Sequence, residues 1–311
     1  MPRRIVDLSV PLKVGIASDP PPLLPKITYR DHAFGAAEFA PMAGLKAEDL
    51  PDGAGPASED CQITTHVGTH MDAPWHYHPT MNGGERAITI DEVPLEWCMG
   101  PGVKLDFRHL PDGHVVTAAE VEAELARIGH DLSPGDIVLV NTAAGMRYGE
   151  DDYLARGIGM GRAATLYLTG KGMKVCGIDA WGWDAPLAYQ KEAIARSGDK
   201  RLFWEGHKAG AETVYCHMEK LHNLESLPAT GYTVAAFPVK VEGGSAGWTR
   251  CATSSPGRPT VRGTCCAPPS IRWWRRSTNC CADRPDWPTV PHGCVAARSR
   301  PVAHSTVSRR R

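Results

Sequence analysis

Four histidines and an aspartate fall within thirteen positions of one stretch, Cys61 to His78, which reads C-Q-I-T-T-H-V-G-T-H-M-D-A-P-W-H-Y-H. His70 and Asp72 are two residues apart, so on an extended backbone both side chains leave the same face. Gly68, between His66 and His70, lets the chain turn where a side chain would obstruct it. Pro74 argues against a continuous helix, and Ile63, Thr64 and Thr65 favour strand. The pattern predicts a strand, a glycine kink and a strand end, with His66, His70 and Asp72 converging on one point. Neutral imidazoles with a carboxylate suit a borderline divalent ion such as Zn, Mn or Fe. Three protein ligands leave positions open for water or substrate, as catalytic sites do. No Cys at C-x-x-C spacing accompanies the cluster, which argues against a structural zinc finger. His76 lies four residues past Asp72, behind the rigid Ala73-Pro74 pair, close enough to serve as an unligated acid/base. A lone histidine would be better read as hydrogen-bonded or surface-exposed; so dense a cluster favours metal.

The stretch His66-Val-Gly-Thr-His70-Met-Asp72-Ala-Pro-Trp-His76 resembles the H-x-G-T-H-x-D-x-P-x-H signature of the cyclase-like metal hydrolases, which include bacterial kynurenine formamidase and isatin hydrolase. The resemblance runs from Asp7-Leu8-Ser9 to about Arg250. It implies an α/β fold of the swivelling β/β/α kind with a mixed sheet, and metal-dependent opening of amide or lactone bonds. By position, His66, His70 and Asp72 would bind metal and His76 would carry the proton. Kynurenine formamidase-like members complete a second metal position with a His and a Glu twelve residues later, the motif Asp bridging. His207 and Glu219 have that spacing here. His217 shares a strand face with Glu219 and is the substitute candidate, whereas His222 is read as structural. Kynurenine formamidases also carry a substrate-contacting Trp before the motif; this chain has none before Trp75.

The elements that must position these residues read as follows. Residues 4–12, with Ile5-Val6-Asp7-Leu8-Ser9-Val10-Pro11 at their centre, read as a short apolar first strand. The segment from Ala17 to Gly55 is rich in Pro and Gly without clear period and is expected to be irregular, either a flap over the metal or plain surface covering. Gly102 to Phe107 reads as a strand. Thr117-Ala-Ala-Glu120 is a capping box opening a helix to about Ile128, with Val121, Leu125 and Ile128 on one stripe. Ile137-Val138-Leu139-Val140 suits a strand covered on both faces, with Asn141-Thr142 at its polar end. A second helix is expected from about Gly161 to Leu168, stopping at Gly170 and Gly172. Val175 to Asp179 is a further strand, and Tyr232 to Phe237 a core strand. Asp179 either sits near the site or caps a turn; Trp181 and Trp183 line a pocket or pack. Gly243 to Gly247 is a loop that approaches the site through backbone groups. Cys61, Cys98 and Cys176 read as buried thiols.

Of 311 residues, 42 % are hydrophobic, enough for a real core, and the net charge of −1 hides an asymmetry. Residues 1–252 carry 23 Lys+Arg against 33 Asp+Glu, a balance of −10, whereas residues 253–311 carry 11 Arg against 2 Asp. The acidic body argues against nucleic acid as a partner. No apolar run reaches the ~18 residues of a membrane span, and the N-terminus lacks the apolar core of a signal peptide. The expectation is a cytoplasmic protein acting on a small molecule. Family members being often dimers or tetramers, a homodimer or homotetramer is expected.

The parts suffice for hydrolysis by metal-activated water, with Zn or Mn as the expected cofactor and no covalent intermediate. Two rivals stand beside this reading: a non-haem Fe(II) oxygenase using His70, Asp72 and His207, and a catalytically inactive metal-binding protein.

Residues 253–311 form a second region by composition. They contain no Leu, Lys, Glu, Phe, Tyr or Met, but hold 11 Arg and Cys265, Cys266, Cys280, Cys281 and Cys294. Up to Arg250 the chain reads as if a final apolar strand should follow, and no such pattern does. The expectation is a hydrolase domain over 1–252 and a disordered, frame-shifted tail over 253–311.

Overall fold

Ile137-Val138-Leu139-Val140 has no polar alternation, and in the computed structural model, which describes residues 4–255, it lies buried on both faces at the centre of a nine-stranded mixed sheet. In chain order the strands are β1 (Arg4–Asp7), β2 (His70–Asp72), β3 (Met99–Asp106), β4 (Ile137–Asn141), β5 (Val175–Ile178), β6 (Cys216–Glu219), β7 (Tyr232–Ala235), β8 (Ala246–Trp248) and β9 (Ala252–Ser255). Their spatial order is β1-β9-β7-β3-β4-β5-β6-β2-β8. β3 to β6 run parallel to one another, and the strands outside them pair antiparallel.

Strand parity splits the interior into two cores. Val138 and Val140 face a layer with Leu105, Ile178 and the helices α3 (Ala118–Ile128) and α4 (Arg162–Gly170). Ile137 and Leu139 face the other, with Met71, Val175, Met218 and Val234. Each fully buried side chain of this size contributes ~1.5–3 kcal/mol relative to exposure, so both faces must be covered. Helix α3 begins as expected: the Thr117 hydroxyl accepts from the Glu120 amide, and Glu120 accepts from the Thr117 amide at 2.8 Å. Helix α4 ends at Gly170, the first of its two expected stops.

Several expectations fail for identifiable reasons. The stretch from Ala17 to Gly55 contains a strand, Lys26–Arg30, which pairs with Ser58–Gln62 in a separate ribbon, and helix α1 (His32–Phe39). Helix α1 buries only Gly35 and Ala36; a Cβ on Gly35 would lie 1.9 Å from the Pro56 carbonyl oxygen. A helix seated on backbone through its smallest residues leaves no apolar stripe to read. Helix α5 (Leu187–Ser197) went unanticipated because its one buried residue is Gln190. Cys61 is exposed, unlike Cys98 and Cys176.

The final strand expected to be missing is present. β9, Ala-Thr-Ser-Ser, lies between β1 and β7 and draws its hydrogen bonds from both. Thr253 is buried there, so small and β-branched residues serve where an apolar run was sought. The boundary expected between 252 and 253 therefore cuts a strand. The described residues belong to the first of two units, Met1–Thr260. Disorder and a shifted frame beyond residue 255 lie outside the described residues. Among the described residues no helix is long and apolar enough to cross a membrane.

Candidate functional site

Two adjacent strands supply most of the site. On β6, Cys216 and Met218 enter one core, so His217 and Glu219 leave by the other face. On β2, Met71 enters that same core, which puts His70 and Asp72 beside them. The antiparallel register sets His217 opposite Asp72 and Glu219 opposite His70. Directly paired residues have Cβ atoms ~4.5–5.5 Å apart, so four metal-capable side chains meet without help from a loop.

The geometry is tight. His70 Nε2 lies 3.3 Å from Asp72 Oδ1 and 3.6 Å from Glu219 Oε2. His217 Nε2 lies 3.2 Å from both Asp72 Oδ2 and Glu219 Oε1. His66 Nδ1 approaches Asp72 Oδ1 at 2.9 Å, and its Nε2 meets the Ser245 hydroxyl at 3.0 Å. The glycine-rich loop thus reaches the site through a side chain. His66 stands on a turn rather than the expected strand, and the kink is at Gly68 (φ +66°), where a Cβ would lie 2.7 Å from Leu12. Pro74 opens helix α2 (Pro74–Tyr77) at its first position, where its missing N–H costs nothing. That single turn brings His76 Nε2 to 3.7 Å from Asp72 Oδ2 and its ring to 4.2 Å from that of His66.

His207 arrives on helix α6 (Glu205–Lys208), with Nε2 3.5 Å from Glu219 Oε1. Its other nitrogen, Nδ1, contacts Asp184 Oδ2 at 2.5 Å, and Asp184 also accepts from the backbone amides of Gly206 and His207. Asp184 escaped the sequence reading. So did Tyr77, whose hydroxyl accepts from the His217 amide at 3.0 Å and donates to the Asp72 carbonyl at 3.2 Å, bridging β6 and β2. All six expected residues, His66, His70, Asp72, His76, His207 and Glu219, converge. His217, weighed only as a substitute, stands among them.

Charge in the cluster is shared out unevenly. Burial pushes the Asp72 carboxyl up, but the imidazoles of His70, His76, His217 and His66 outweigh it and hold it well below the usual range. Burial and the Asp72 charge push Glu219 up, but His217 and His70 prevail and bring it to about 2. Burial would lower His217, yet its two carboxylate partners raise it to about 9. For His76 burial wins, bringing it down to about 4.

The donor set fits a cation. His70 Nε2 and both oxygens of Asp72 are buried without a hydrogen-bond partner, although imidazole nitrogens lie close to them. Buried polar atoms are nearly always paired, and a bound ion is one partner that satisfies those the protein leaves over. Two groups of side chains could hold an ion: Asp72, His207, His217 and Glu219, and His66, Asp72 and His76. Asp72 belongs to both.

A cavity of about 280 Å³ opens over this cluster, lined by His66, His76, His207 and Glu219 together with Leu23, Leu154, Leu187, Trp181 and Trp204. Trp181 therefore lines the pocket while Trp183 packs: its indole is fully buried and donates to Thr165 at 3.0 Å. Trp204 stacks on His207 with ring centroids 4.6 Å apart. Asp179 stays outside, accepting from Asn141 and the Thr142 amide, and Thr142 serves its own loop by accepting from the Ala144 amide.

The Cyclase family model, described as "Putative cyclase", matches residues 6–185. Isatin hydrolase A from Ralstonia solanacearum has a similar fold, with a TM-score of 0.63 and 22 % identity, covering 82 % of this chain and 92 % of that one. An isatin hydrolase bound to the product analogue thioisatinate gives a TM-score of 0.61 and 22 % identity, covering 82 % and 93 %. A "potential metal-dependent hydrolase with cyclase activity" gives 0.55 and 22 %, covering 82 % and 99 %. No curated protein matches in sequence. His207, His217 and Glu219 lie beyond the span that the family model matches, and only the fold brings them to Asp72.

Proposed function

Because the chain belongs to the Cyclase family, we propose that it is a metal-dependent hydrolase that opens an amide bond, cyclic or of the aryl formamide type, or a lactone. The observation that carries this reading is the convergence of buried, unpartnered donor atoms of His70 and Asp72 on the space also faced by His66, His207, His217 and Glu219. His66, His70 and Asp72 would hold one divalent cation, Zn or Mn. Asp72, His207, His217 and Glu219 would hold a second, with Asp72 shared. Such a cation, when bound, polarises a carbonyl and lowers the pKa of its water toward ~7.

The chain's own residues do the rest. His76 is the acid/base: its Nε2 takes the proton released as water attacks and returns it to the leaving nitrogen or oxygen, with Asp72 at 3.7 Å to offset the imidazolium charge. Asp184 fixes the tautomer of His207 through Nδ1, and Tyr77 holds the two ligand-bearing strands in register. Trp181, Trp204 and the leucines around them offer an apolar wall that receives a flat organic body and keeps bulk water away from the bond being broken. We further propose that the protein acts on a small molecule, as a cytoplasmic homodimer or homotetramer.

Metal analysis of the purified protein, coupled to a screen of cyclic amides, aryl formamides and lactones, tests it. Asp72→Ala should lose both bound metal and turnover, because that carboxylate serves both positions. Full activity in a metal-free Asp72→Ala protein would end this reading. Bound iron with oxygen uptake would favour the oxygenase rival, and bound metal without turnover an inactive binder.

A further inference from the structure

Lys220 occupies a position where lysine is a poor backbone choice. Its φ is +56°, in the left-handed region that glycine adopts freely and other residues adopt only under constraint. Its side chain is also buried, 2 % exposed against 3 % for its partner Asp19. A strained backbone and a buried charge at one residue are two separate costs, and a methionine would pack there without the second.

The contacts of the pair explain what those costs maintain. The Lys220 ammonium is held by Asp19 Oδ1 and donates to the main-chain carbonyl of His66 at 2.9 Å. Asp19 Oδ1 also accepts the indole N–H of Trp181 at 3.2 Å. Lys220 directly follows Glu219, and its own carbonyl accepts from Thr69, one residue before His70, at 2.7 Å. Asp19 comes from the segment between β1 and the strand Lys26–Arg30, the same segment that lays Leu23 against the cavity. One ion pair thus joins the N-terminal segment, the tryptophan wall and the turn that carries His66.

We propose that Asp19 and Lys220 are positioning residues that couple the seating of residues 11–25 over the cavity to the placement of His66. A divalent cation bound at His66, His70 and Asp72 and the seated segment then favour one another. This inference rests on the metal-binding reading above. Linkage requires the effect to be reciprocal: what steadies His66 for the cation must let the cation steady the segment.

The test uses the full chain with zinc or manganese ion as the probe. The double variant Asp19→Asn/Lys220→Gly removes both charges together, keeps an acceptor for Trp181 and puts glycine where the backbone is left-handed. It should melt near the wild type but bind the ion ~10–100-fold more weakly, the range typical for groups that orient ligands. A folded double variant with wild-type ion affinity and unchanged kcat and KM overturns the proposal. Hydrogen exchange on the wild-type protein gives a second measure that needs no variant. Amides of residues 11–25 should exchange more slowly once the ion is bound, and identical exchange with and without bound ion overturns the coupling. Absence of any bound ion would instead defeat the metal reading itself, so the two failures are told apart.

Discussion

Replacing Asp184 by Asn changes one atom and tests how the second half of the site is held. Asp184 is an acceptor only, so the 2.5 Å contact to His207 Nδ1 fixes the proton on Nδ1 and leaves the Nε2 lone pair facing Glu219 Oε1 at 3.5 Å. An asparagine amide can keep one backbone bond, to Gly206 or to His207, but its NH₂ then faces either a backbone N–H or the imidazole. In the second case it donates to Nδ1 and drives the proton to Nε2, where it blocks the lone pair a cation would need. Outer partners of metal-binding histidines are worth ~10–100-fold in affinity, which is about 1.4–2.7 kcal/mol. The fold should suffer as well, since a hydrogen bond to a charged group contributes about 1.5–3 kcal/mol and at least one of three is lost. Titration against a chromogenic chelator reads the first effect, and thermal melting without metal reads the second. Ion affinity within twofold of the wild type in folded Asp184→Asn and Asp184→Ala proteins would refute the tautomer argument, because alanine leaves no acceptor to hold the proton on Nδ1 in either amide orientation.

His76→Ala should retain bound metal while turnover falls ~10²–10⁴-fold; loss of the metal along with the ring would make His76 a ligand. Asp179 is a buried carboxyl pushed up to about 7, burial outweighing the bonds from Thr142 and Asn141. The folded state therefore keeps a proton that the unfolded chain releases above about 4, and stability from this group falls as pH rises from about 4 through 7, by at most about 4 kcal/mol. Melting curves of wild type and Asp179→Asn at pH 5 and pH 8 should differ in slope, the variant being flatter; parallel pH profiles would contradict the assignment. Thr117→Ala removes the hydroxyl that caps α3 and should cost about 1 kcal/mol in urea unfolding with no change in metal content.

What could be read from the sequence was whatever a short-range rule governs. His70 and Asp72 share a strand face because they are two apart, Thr117 and Glu120 are a reciprocal cap three apart, and Ile137 to Val140 is an apolar run with a strand on either side. What stayed hidden is paired across the chain. Asp184 lies 23 positions from His207 and Asp19 lies 201 from Lys220, and neither spacing repeats anything a window could detect. Helices α1 and α5 were illegible for a different reason: they bury Gly35, Ala36 and Gln190, so the apolar stripe that identifies a helix is missing. β9 was missed because strand formation there depends on neighbours on both sides rather than on its own composition.

The register that assembles the site is enforced by residues that take no part in its chemistry. A slip of one residue between β6 and β2 would turn His217 and Glu219 toward the second core and bring Cys216 and Met218 to the cavity. Met71 and Met218, directly paired and fully buried, are worth ~1.5–3 kcal/mol each against exposure, and the slip would forfeit both while burying charge in an apolar layer. The histidines and carboxylates need not stabilise the sheet to stay in place. Tyr77 adds the local condition, since its hydroxyl fits between the His217 amide and the Asp72 carbonyl in this register alone. Core packing thus holds Asp72 and Glu219 near each other, where like charges would otherwise separate them, and that proximity is what makes the pocket able to take up a divalent cation.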